Sequence, residues 1–249
     1  MVINQDAYNQ SFSLSPTNNM VYTYAVEDVS EGENHAYTAN AADFGKVPVS
    51  FNTHGDGVFI TLHTTGDRDL ISVKENNENA DFEKSFTLRA PDIETARAIA
   101  GAFTRLNELA VDKMASLTAF KNADEAMAYV TKSIDQVVIN TDTYLQKMEK
   151  DEKDNCLMHF HSTDVSDDTK YDYDFNLKDI DPYKIQFNTK GNEVFLTMQV
   201  KGGNDLVKKY ENGEVDKYTD SFEIRAKDIE QARKLETALR MITESCGEK

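Results

Sequence analysis

Two stretches of the chain decide its predicted fold: SFTLRAPDIETAR at Ser85–Arg97 and SFEIRAKDIEQAR at Ser221–Arg233. Each begins with apolar and polar residues in alternation, which is typical of a half-buried strand. Each then passes through an aspartate, Asp92 or Asp228, and continues with apolar residues at helical spacing. Because an aspartate side chain accepts hydrogen bonds from the free N–H groups that begin a helix, the pattern predicts a strand, a capped turn and a helix.

The likeness of these two stretches extends over most of the chain. Shifting the sequence by 136 residues, the distance from Val2 to Val138, aligns Val2–Lys113 with Val138–Lys249 without a gap. About a third of the aligned positions are identical, and FNTHGDGVFIT in the first copy faces FNTKGNEVFLT in the second. Because this shift is far longer than the period of solenoid repeats, we predict two tandem domains.

The segment Met114–Val137 precedes the second copy and has no counterpart before the first. Asn122 followed by Glu125 resembles a capping box. One helical face of the segment carries Met127, Val130, Ile134 and Val137. We therefore predict a first repeat at 2–113, a connector helix at 114–137 and a second repeat at 138–249. Two explanations for the missing first lead-in stay open: an upstream segment was removed, or the helix simply joins the domains.

Seven segments of the second copy have the alternation and the residue types of strands. They are Val138–Lys147, Cys156–Ser162, Lys170–Leu177, Tyr183–Asn188, Glu193–Lys201, Leu206–Tyr210 and Val215–Arg225. Asn212-Gly213, between the last two, is a strong hairpin signal. The apolar face of the closing helix is Ile229, Ala232, Leu235, Leu239, Ile242 and Cys246, and the first copy repeats it as Ile93, Ala96, Ile99, Phe103, Leu106 and Ala110.

Seven antiparallel strands followed by one amphipathic C-terminal helix resemble the pleckstrin-homology-like (PH-like) superfold. The resemblance rests on the order of the elements and on endings such as SFEIRAKDIEQARKLETAL at Ser221–Leu239. It implies a mostly β fold of the α+β class, with two tandem seven-stranded bent sheets, each a PH-like barrel capped by its own helix. Lipid-binding members carry lysines and arginines in the loop after the first strand, and here that loop is the uncharged SFSLSPTNN in the first copy. We therefore expect no binding of phosphoinositides.

The net charge of −17 and the isoelectric point near 4.7 limit the possible partners. Nucleic acids and anionic membrane lipids would require a basic patch, and the sequence shows none. No apolar run is long enough to span a membrane, and no secretory signal segment is present. We predict a soluble, acidic protein with neither nucleic acid nor anionic lipid as its ligand.

The two cysteines, Cys156 and Cys246, lack the C-x-x-C spacing of zinc and redox motifs. Both fall at apolar periodic positions, so the preferred interpretation is two buried thiols. The alternative is a disulfide between the second strand and the last helix, which would require an oxidising compartment. The compartment stays open, although the missing lead-in favours an extracytoplasmic location, periplasmic or secreted.

Two groups of residues in the second copy are candidates for a site. His159 and His161 lie two apart on a predicted strand, hence on one face, where a pair of imidazoles can bind a metal. An acidic segment offers the carboxylates of Asp164, Asp167, Asp168, Asp172 and Asp174, and such clusters can hold calcium. A half-exposed sheet face and a solvated turn explain both groups more simply, because the first copy has Thr23 and Ala25 at the histidine positions. We therefore predict no catalytic residue, no metal site and no cofactor.

Arginines flank both strand-to-helix junctions. Arg89 and Arg97 in the first copy correspond to Arg225 and Arg233 in the second. We expect them to form surface ion pairs with Glu94, Glu230 or neighbouring carboxylates, which add little stability.

These observations favour a non-enzymatic protein of two interaction domains that binds a protein or a peptide at a sheet edge or beside the helix. One alternative is a carrier that holds a small molecule or a lipid inside each sheet. Another is a metal-dependent enzyme built on the histidines and aspartates, although no catalytic motif supports it.

Overall fold

The computed structural model of the chain describes residues 2–3, 6–45, 49–55, 57–139 and 141–247. It divides into two compact units, Met1–Leu117 and Thr118–Lys249. Strands dominate both units, and every strand pair is antiparallel. No helix of the described ranges combines the length and the apolar character needed to cross a bilayer.

Unit 1 consists of strands followed by one long helix. Its described elements are β1 (Val2–Ile3), β2 (Asp6–Leu14), β3 (Val21–Asp28), β4 (Glu33–Asn40), β5 (Ser50–His54), β6 (Gly57–His63), β7 (Ser72–Glu75), β8 (Glu78–Asn79), β9 (Ser85–Ala90) and α1 (Ile93–Thr118). They form a six-stranded sheet in the order β1-β2-β3-β4-β7-β8 and a three-stranded sheet in the order β5-β6-β9.

Unit 2 begins with a helix of its own. Its described elements are α2 (Ala123–Ser133), β10 (Gln136–Ile139), β11 (Asp142–Lys150), β12 (Leu157–Asp164), β13 (Thr169–Asn176), β14 (Gln186–Lys190), β15 (Glu193–Gln199), β16 (Val207–Glu211), β17 (Glu214–Thr219), β18 (Ser221–Ala226) and α3 (Ile229–Gly247). The strand order repeats that of unit 1, with sheets β10-β11-β12-β13-β16-β17 and β14-β15-β18.

The core of unit 1 lies between its two sheets and α1. Tyr22 and Tyr24 alternate with half-buried neighbours along β3 and are almost completely buried. Their rings contact Phe86 of β9, and the ring of Tyr22 also contacts Phe103 of α1. Ala96, Phe103 and Ala110 of the predicted helical face are buried, whereas Ile93 at the helix start is exposed.

The core of unit 2 is built around α3. All six residues of its predicted apolar face, from Ile229 to Cys246, are buried. The helix packs on α2 and on β14, β15 and β18. The predicted caps are confirmed: Asp228 Oδ1 accepts a hydrogen bond from the Gln231 N–H at 2.7 Å, and in unit 1 Asp92 Oδ1 accepts one from the Thr95 N–H, also at 2.7 Å.

The prediction of a seven-stranded PH-like barrel in each repeat is wrong. Among the described residues the strands form four separate antiparallel sheets, and none closes into a barrel. Two predicted strands are each two strands: β10 ends at Ile139 and β11 begins at Asp142, and β17 ends at Thr219 and β18 begins at Ser221. The hairpin β16–β17 lies beside β13 in the six-stranded sheet, whereas β18 pairs with β15 in the three-stranded sheet. Alternation along a strand indicates which residues are buried, but it does not indicate which strand lies alongside.

The connector helix predicted at 114–137 as part of that fold does not form as one continuous helix. Helix α1 continues to Thr118, α2 spans only Ala123–Ser133, and Val137 lies in strand β10. The predicted apolar face is nevertheless buried, at Met127, Val130, Ile134 and Val137. The predicted cap forms at Asn122, whose Oδ1 accepts from the Glu125 N–H at 2.9 Å; Glu125 Oε2 accepts at 2.9 Å from the N–H of Lys121, one residue before the cap, rather than from that of Asn122 as in a capping box.

One glutamine in each unit joins the two sheets. Gln10 of β2 donates to the carbonyl oxygen of Arg89 at 3.1 Å and accepts from the N–H of Arg89 at 2.9 Å. Gln146 of β11 does the same with Arg225, at 3.0 and 2.7 Å, and donates also to the carbonyl oxygen of Ile134 at 3.1 Å. We call this arrangement the glutamine clamp. It lets a side chain of one sheet satisfy the free backbone groups of a strand in the other.

A disulfide joins Cys156, just before β12, to Cys246 near the end of α3, with a Cα–Cα distance of 5.8 Å. The preferred interpretation of two buried thiols is therefore wrong, and the alternative holds. Apolar periodicity predicts that each cysteine is buried, but it does not show that the two cysteines lie next to each other. The corresponding residues of unit 1 are Met20 and Ala110, both buried.

Candidate functional site

The two candidate histidines lie on the outer face of the large sheet of unit 2, as predicted. The strand register sets His159 of β12 opposite Asp174 of β13, and His161 opposite Asp172. The Nδ1 atoms lie 2.7 Å from Asp174 Oδ1 and 2.5 Å from Asp172 Oδ1, respectively. The imidazoles therefore form cross-strand pairs with carboxylates on one polar face.

Further carboxylates approach the same rings from strand β11 and the turn after it. The Nε2 atom of His159 lies 3.7 Å from Asp151 Oδ2, and that of His161 lies 3.8 Å from Glu149 Oε2. The hydroxyl of Tyr210 on β16 donates to Asp174 Oδ2 at 2.8 Å. We call this row of side chains across four strands the histidine ladder: Glu149, Asp151, His159, His161, Asp172, Asp174 and Tyr210.

The electrostatics of the histidine ladder favour a protonated imidazole. The hydrogen bond to Asp174 raises the pKa of His159 above its usual value, burial opposes that shift, and the charges of Asp174 and Asp151 add to it. Protonation of His159 makes both of its ring nitrogens hydrogen-bond donors rather than metal ligands. Within the described ranges, no group of three or more His, Cys, Asp or Glu side chains has the arrangement of a metal site.

The acidic segment does not gather into one site. Asp164 Oδ1 accepts from the Ser166 N–H at 2.9 Å, and Asp167 Oδ1 accepts from the Thr169 N–H at 2.9 Å. Asp168 adopts a left-handed backbone with φ of 56° in the same turn. Asp172 and Asp174 point instead to the histidines. These carboxylates build a tight turn and a strand face, which is the simpler of the two interpretations.

A cleft in unit 1 has a more varied lining. It opens between the inner face of β2–β4 and strand β9 and encloses about 410 Å³. Its aromatic residues are Tyr8, Tyr37 and Phe86; its carboxylates are Asp28, Glu31, Glu33 and Glu83; and its basic side chains are His35 and Arg89. We call it the unit 1 cleft.

The aromatic and basic groups of the unit 1 cleft are held in contact with one another. The guanidinium carbon of Arg89 lies 4.0 Å from the ring centroid of Tyr8. Tyr37 stacks on Phe86 with centroids 5.6 Å apart and on His35 with centroids 6.2 Å apart. Because the glutamine clamp fixes the backbone of Arg89 through Gln10, the position of the guanidinium depends on the joint between the two sheets.

The charges around the unit 1 cleft are mainly negative. Burial, and then the charge of Glu75, raises the pKa of Glu83 above its usual value. Burial, and then the charges of Glu83 and Glu75, raises the pKa of the Tyr37 hydroxyl. His35 lies between two carboxylates, 3.7 Å from Glu33 and 3.9 Å from Glu75. A cationic group entering the cleft would relieve this repulsion.

The sequence predicted a surface ion pair for Arg89 and did not predict the unit 1 cleft that this residue lines. The expected ion pairs form between Arg97 and Glu94 and, at 3.8 Å, between Arg233 and Glu230. Arg225 pairs with a neighbouring carboxylate, Glu193, at 3.0 Å, as expected, whereas Arg89 contacts the ring of Tyr8. A signal was present, because Tyr8, Gln10 and Arg89 are identical to Tyr144, Gln146 and Arg225 in the other copy.

No protein family, curated protein or solved structure matches this chain at a significant level of similarity.

Proposed function

We propose that this chain is a non-enzymatic binding protein and that the unit 1 cleft receives a charged group of its ligand, which is either a small molecule or a side chain of a protein or peptide. The observation that carries the proposal is the combination of an open volume of about 410 Å³ with aromatic rings and charges of both signs. Such lining supplies specific polar contacts together with apolar surface.

The alternatives have less support. A lipid carrier would place an acyl chain in the sheet interior, but Tyr22, Tyr24, Ile60 and Leu62 fill that interior in unit 1. Laying an acyl chain in the cleft would desolvate its carboxylates, which is costly without compensating hydrogen bonds. A metal-dependent enzyme would need ligands, and the candidate histidines are hydrogen-bonded to Asp174 and Asp172.

We further propose that the two units arose by duplication and work outside the cytoplasm. Corresponding pairs at the same spacing support the first point: the clamps of Gln10 and Gln146, and the caps of Asp92 and Asp228. The disulfide supports the second, because such bonds persist mainly in oxidising compartments. Trapping of thiols in native cells, followed by a non-reducing gel, would recover the oxidised form; a free-thiol form would contradict the location.

Amide-resolved NMR of the full chain tests the binding proposal. The probes are n-butylamine, butyrate, inorganic phosphate and a neutral sugar, each added alone. We expect at least one probe to shift the amides of cleft residues His35, Glu83 and Thr87, and Glu83→Gln to weaken that effect. Glu78→Gln, at an exposed position on β8 outside the lining, is the matched control. Absence of cleft shifts with all four probes, or chemical conversion of a probe, would contradict the proposal.

A further inference from the structure

A lysine occupies the inner face of unit 2 at a position where unit 1 has a valine. The register pairs Tyr37 with Val73 between β4 and β7, and Tyr173 with Lys209 between β13 and β16. Val73 is 1% exposed, and the Lys209 side chain is only 16% exposed. A buried hydrophobic residue in one unit therefore corresponds to a largely buried cation in the other.

The ammonium group of Lys209 has the surroundings of a bound amine. Its Nζ atom lies 2.8 Å from Asp216 Oδ2, 3.4 Å from Glu211 Oε2 and 4.7 Å from the ring centroid of Tyr171. Burial acts to lower the pKa of Lys209, but the hydrogen bond to Asp216 and its charge raise it overall, so the group stays charged. Carboxylates and an aromatic face together are the chemistry that recognises ammonium.

Unit 1 keeps one of these three groups, the glutamate, and does not supply the lysine. Register places His35 and Glu75 of unit 1 where unit 2 has Tyr171 and Glu211. Tyr37 remains as the counterpart of Tyr173, and Ala80 stands in place of Asp216.

Unit 1 also adds negative charge around the same place. Glu33 and Glu83 line its cleft at the positions where unit 2 has Thr169 and Thr219. Burial is the main reason that the pKa of the shared tyrosine is raised in both units; the charges of Glu83 and Glu75 add to the rise at Tyr37, whereas the charge of Lys209 opposes it at Tyr173. Unit 2 in turn has Asp216 and Glu223 where unit 1 has Ala80 and Thr87, so both units place carboxylates around this tyrosine and only unit 2 adds an internal lysine among them.

From this correspondence we propose that the unit 1 cleft binds a primary ammonium group, and that Lys209 occupies the equivalent place in unit 2 from within the chain. The inference rests on the proposed function and adds the class of ligand. The ligand is an amine on a flexible stem, either a free alkyl amine or diamine or the side chain of a lysine in a partner.

Calorimetric titration of the full chain with n-butylamine and a linear diamine tests the inference. We expect binding at one site, weakened about tenfold by Glu83→Gln, since each lost charge-assisted hydrogen bond is worth roughly one power of ten in affinity. Glu78→Gln serves as control. A titration in which Glu83→Gln binds the amines as tightly as the native chain overturns the inference.

Two exchanges between the units test the role of the lysine. Val73→Lys with Ala80→Asp gives unit 1 the ion pair of unit 2, and we expect it to abolish amine binding. Lys209→Met removes the internal cation while leaving Asp216 and Glu211, and we expect it to raise the stoichiometry from one amine to two. Far-UV circular dichroism shows whether each variant folds. If the double variant of unit 1 does not fold, the test rests on Lys209→Met alone. A stoichiometry of one amine in folded Lys209→Met contradicts the proposal.

The source of the amine is distinguished by a peptide containing one lysine between glycines, compared with its Nε-acetylated form and with the diamine. Tighter binding of the peptide indicates a protein partner, and tighter binding of the diamine indicates a small molecule. If butyrate or phosphate shifts the cleft in NMR and no amine does, the ammonium inference fails while the binding proposal stands.

Discussion

Gln146 is one side chain that holds three parts of unit 2 together. Its amide group bonds both backbone groups of Arg225 on β18 and the carbonyl oxygen of Ile134 after α2. It is buried, so water cannot replace these bonds if the side chain is removed. Both copies have a glutamine at this position because the backbone groups of Arg89 and Arg225 need hydrogen-bond partners where the two sheets meet. A helix or strand pattern in the sequence does not reveal this need.

We expect Gln146→Ala to destabilise unit 2 by about 2–3 kcal/mol, because it leaves buried N–H and C=O groups without partners. Urea unfolding followed by circular dichroism measures the change. Gln136→Ala, at an exposed position on β10, is the control and should stay within about 0.5 kcal/mol of the native chain. Equal effects of the two substitutions would refute the clamp as a source of stability.

The pKa of His159 provides a second prediction at this scale. The hydrogen bond to Asp174 is the main reason that this pKa is raised. NMR titration of the His159 ring should therefore give a pKa above 6.5, and the pKa should be lower in Asp174→Asn. Because the folded-state pKa is raised, this contribution to stability is complete below the unfolded pKa and disappears as pH rises through the folded value. Asp168→Asn, in the neighbouring turn, should leave the titration unchanged; a shift of similar size there would count against the assigned cause.

Local sequence signals predicted several elements correctly, whereas the pairing of strands was beyond them. Asn212-Gly213 forms its turn, with Asn212 at φ of 51° accepting a hydrogen bond from the Lys170 N–H at 3.1 Å. That signal does not say that the hairpin lies beside β13, because a pairing partner distant in sequence leaves no local pattern. The same limit applies to the unit 1 cleft, whose lining comes from four strands; the identity of Tyr8, Gln10 and Arg89 between the copies marks shared residues but does not show that a cleft forms beside them.

The disulfide supplies a prediction about the elements of unit 2. It closes a separation of 90 residues, for which the chain-entropy estimate is about 4.5 kcal/mol of stability. Reduction, or replacement of Cys156 and Cys246 by serine, should therefore lower the melting temperature of unit 2. Unit 1, which has Met20 and Ala110 at these positions, is an internal control in differential scanning calorimetry. An unchanged unit 2 transition would show that the bond contributes nothing to stability.

At the scale of the whole molecule, the chain is two units with different sources of support. Unit 2 has a disulfide and a second helix, while unit 1 ends in the longer helix α1. In α2, the side chains of Ala126, Met127 and Val130 are buried, and Gln231 of α3 donates to the carbonyl oxygen of Ser133 at 2.7 Å. The packing therefore makes α2 part of the second folding unit.

This view predicts how the chain can be divided. Residues 118–249 expressed alone should unfold cooperatively near the temperature of the same unit in the full chain. Residues 138–249 should be much less stable, because removal of α2 exposes the part of α3 that it covers, and the first two residues of β10, Gln136 and Val137, are lost with it. Calorimetry of the two fragments measures the difference. Equal stability of the fragments would return α2 to the role of a simple linker.

The bond between Cys156 and Cys246 also turns part of the chain into a covalent ring that contains β12 through α3 and leaves α2, β10 and β11 outside. A protease that cuts one peptide bond inside this ring leaves both pieces attached, so the nick is invisible on a gel until a reductant is added. A cut ahead of Cys156 leaves no covalent link between the two pieces, so they separate on a denaturing gel without reductant. The hairpin turn at Asn212-Gly213 can thus be nicked without loss of material from the unit.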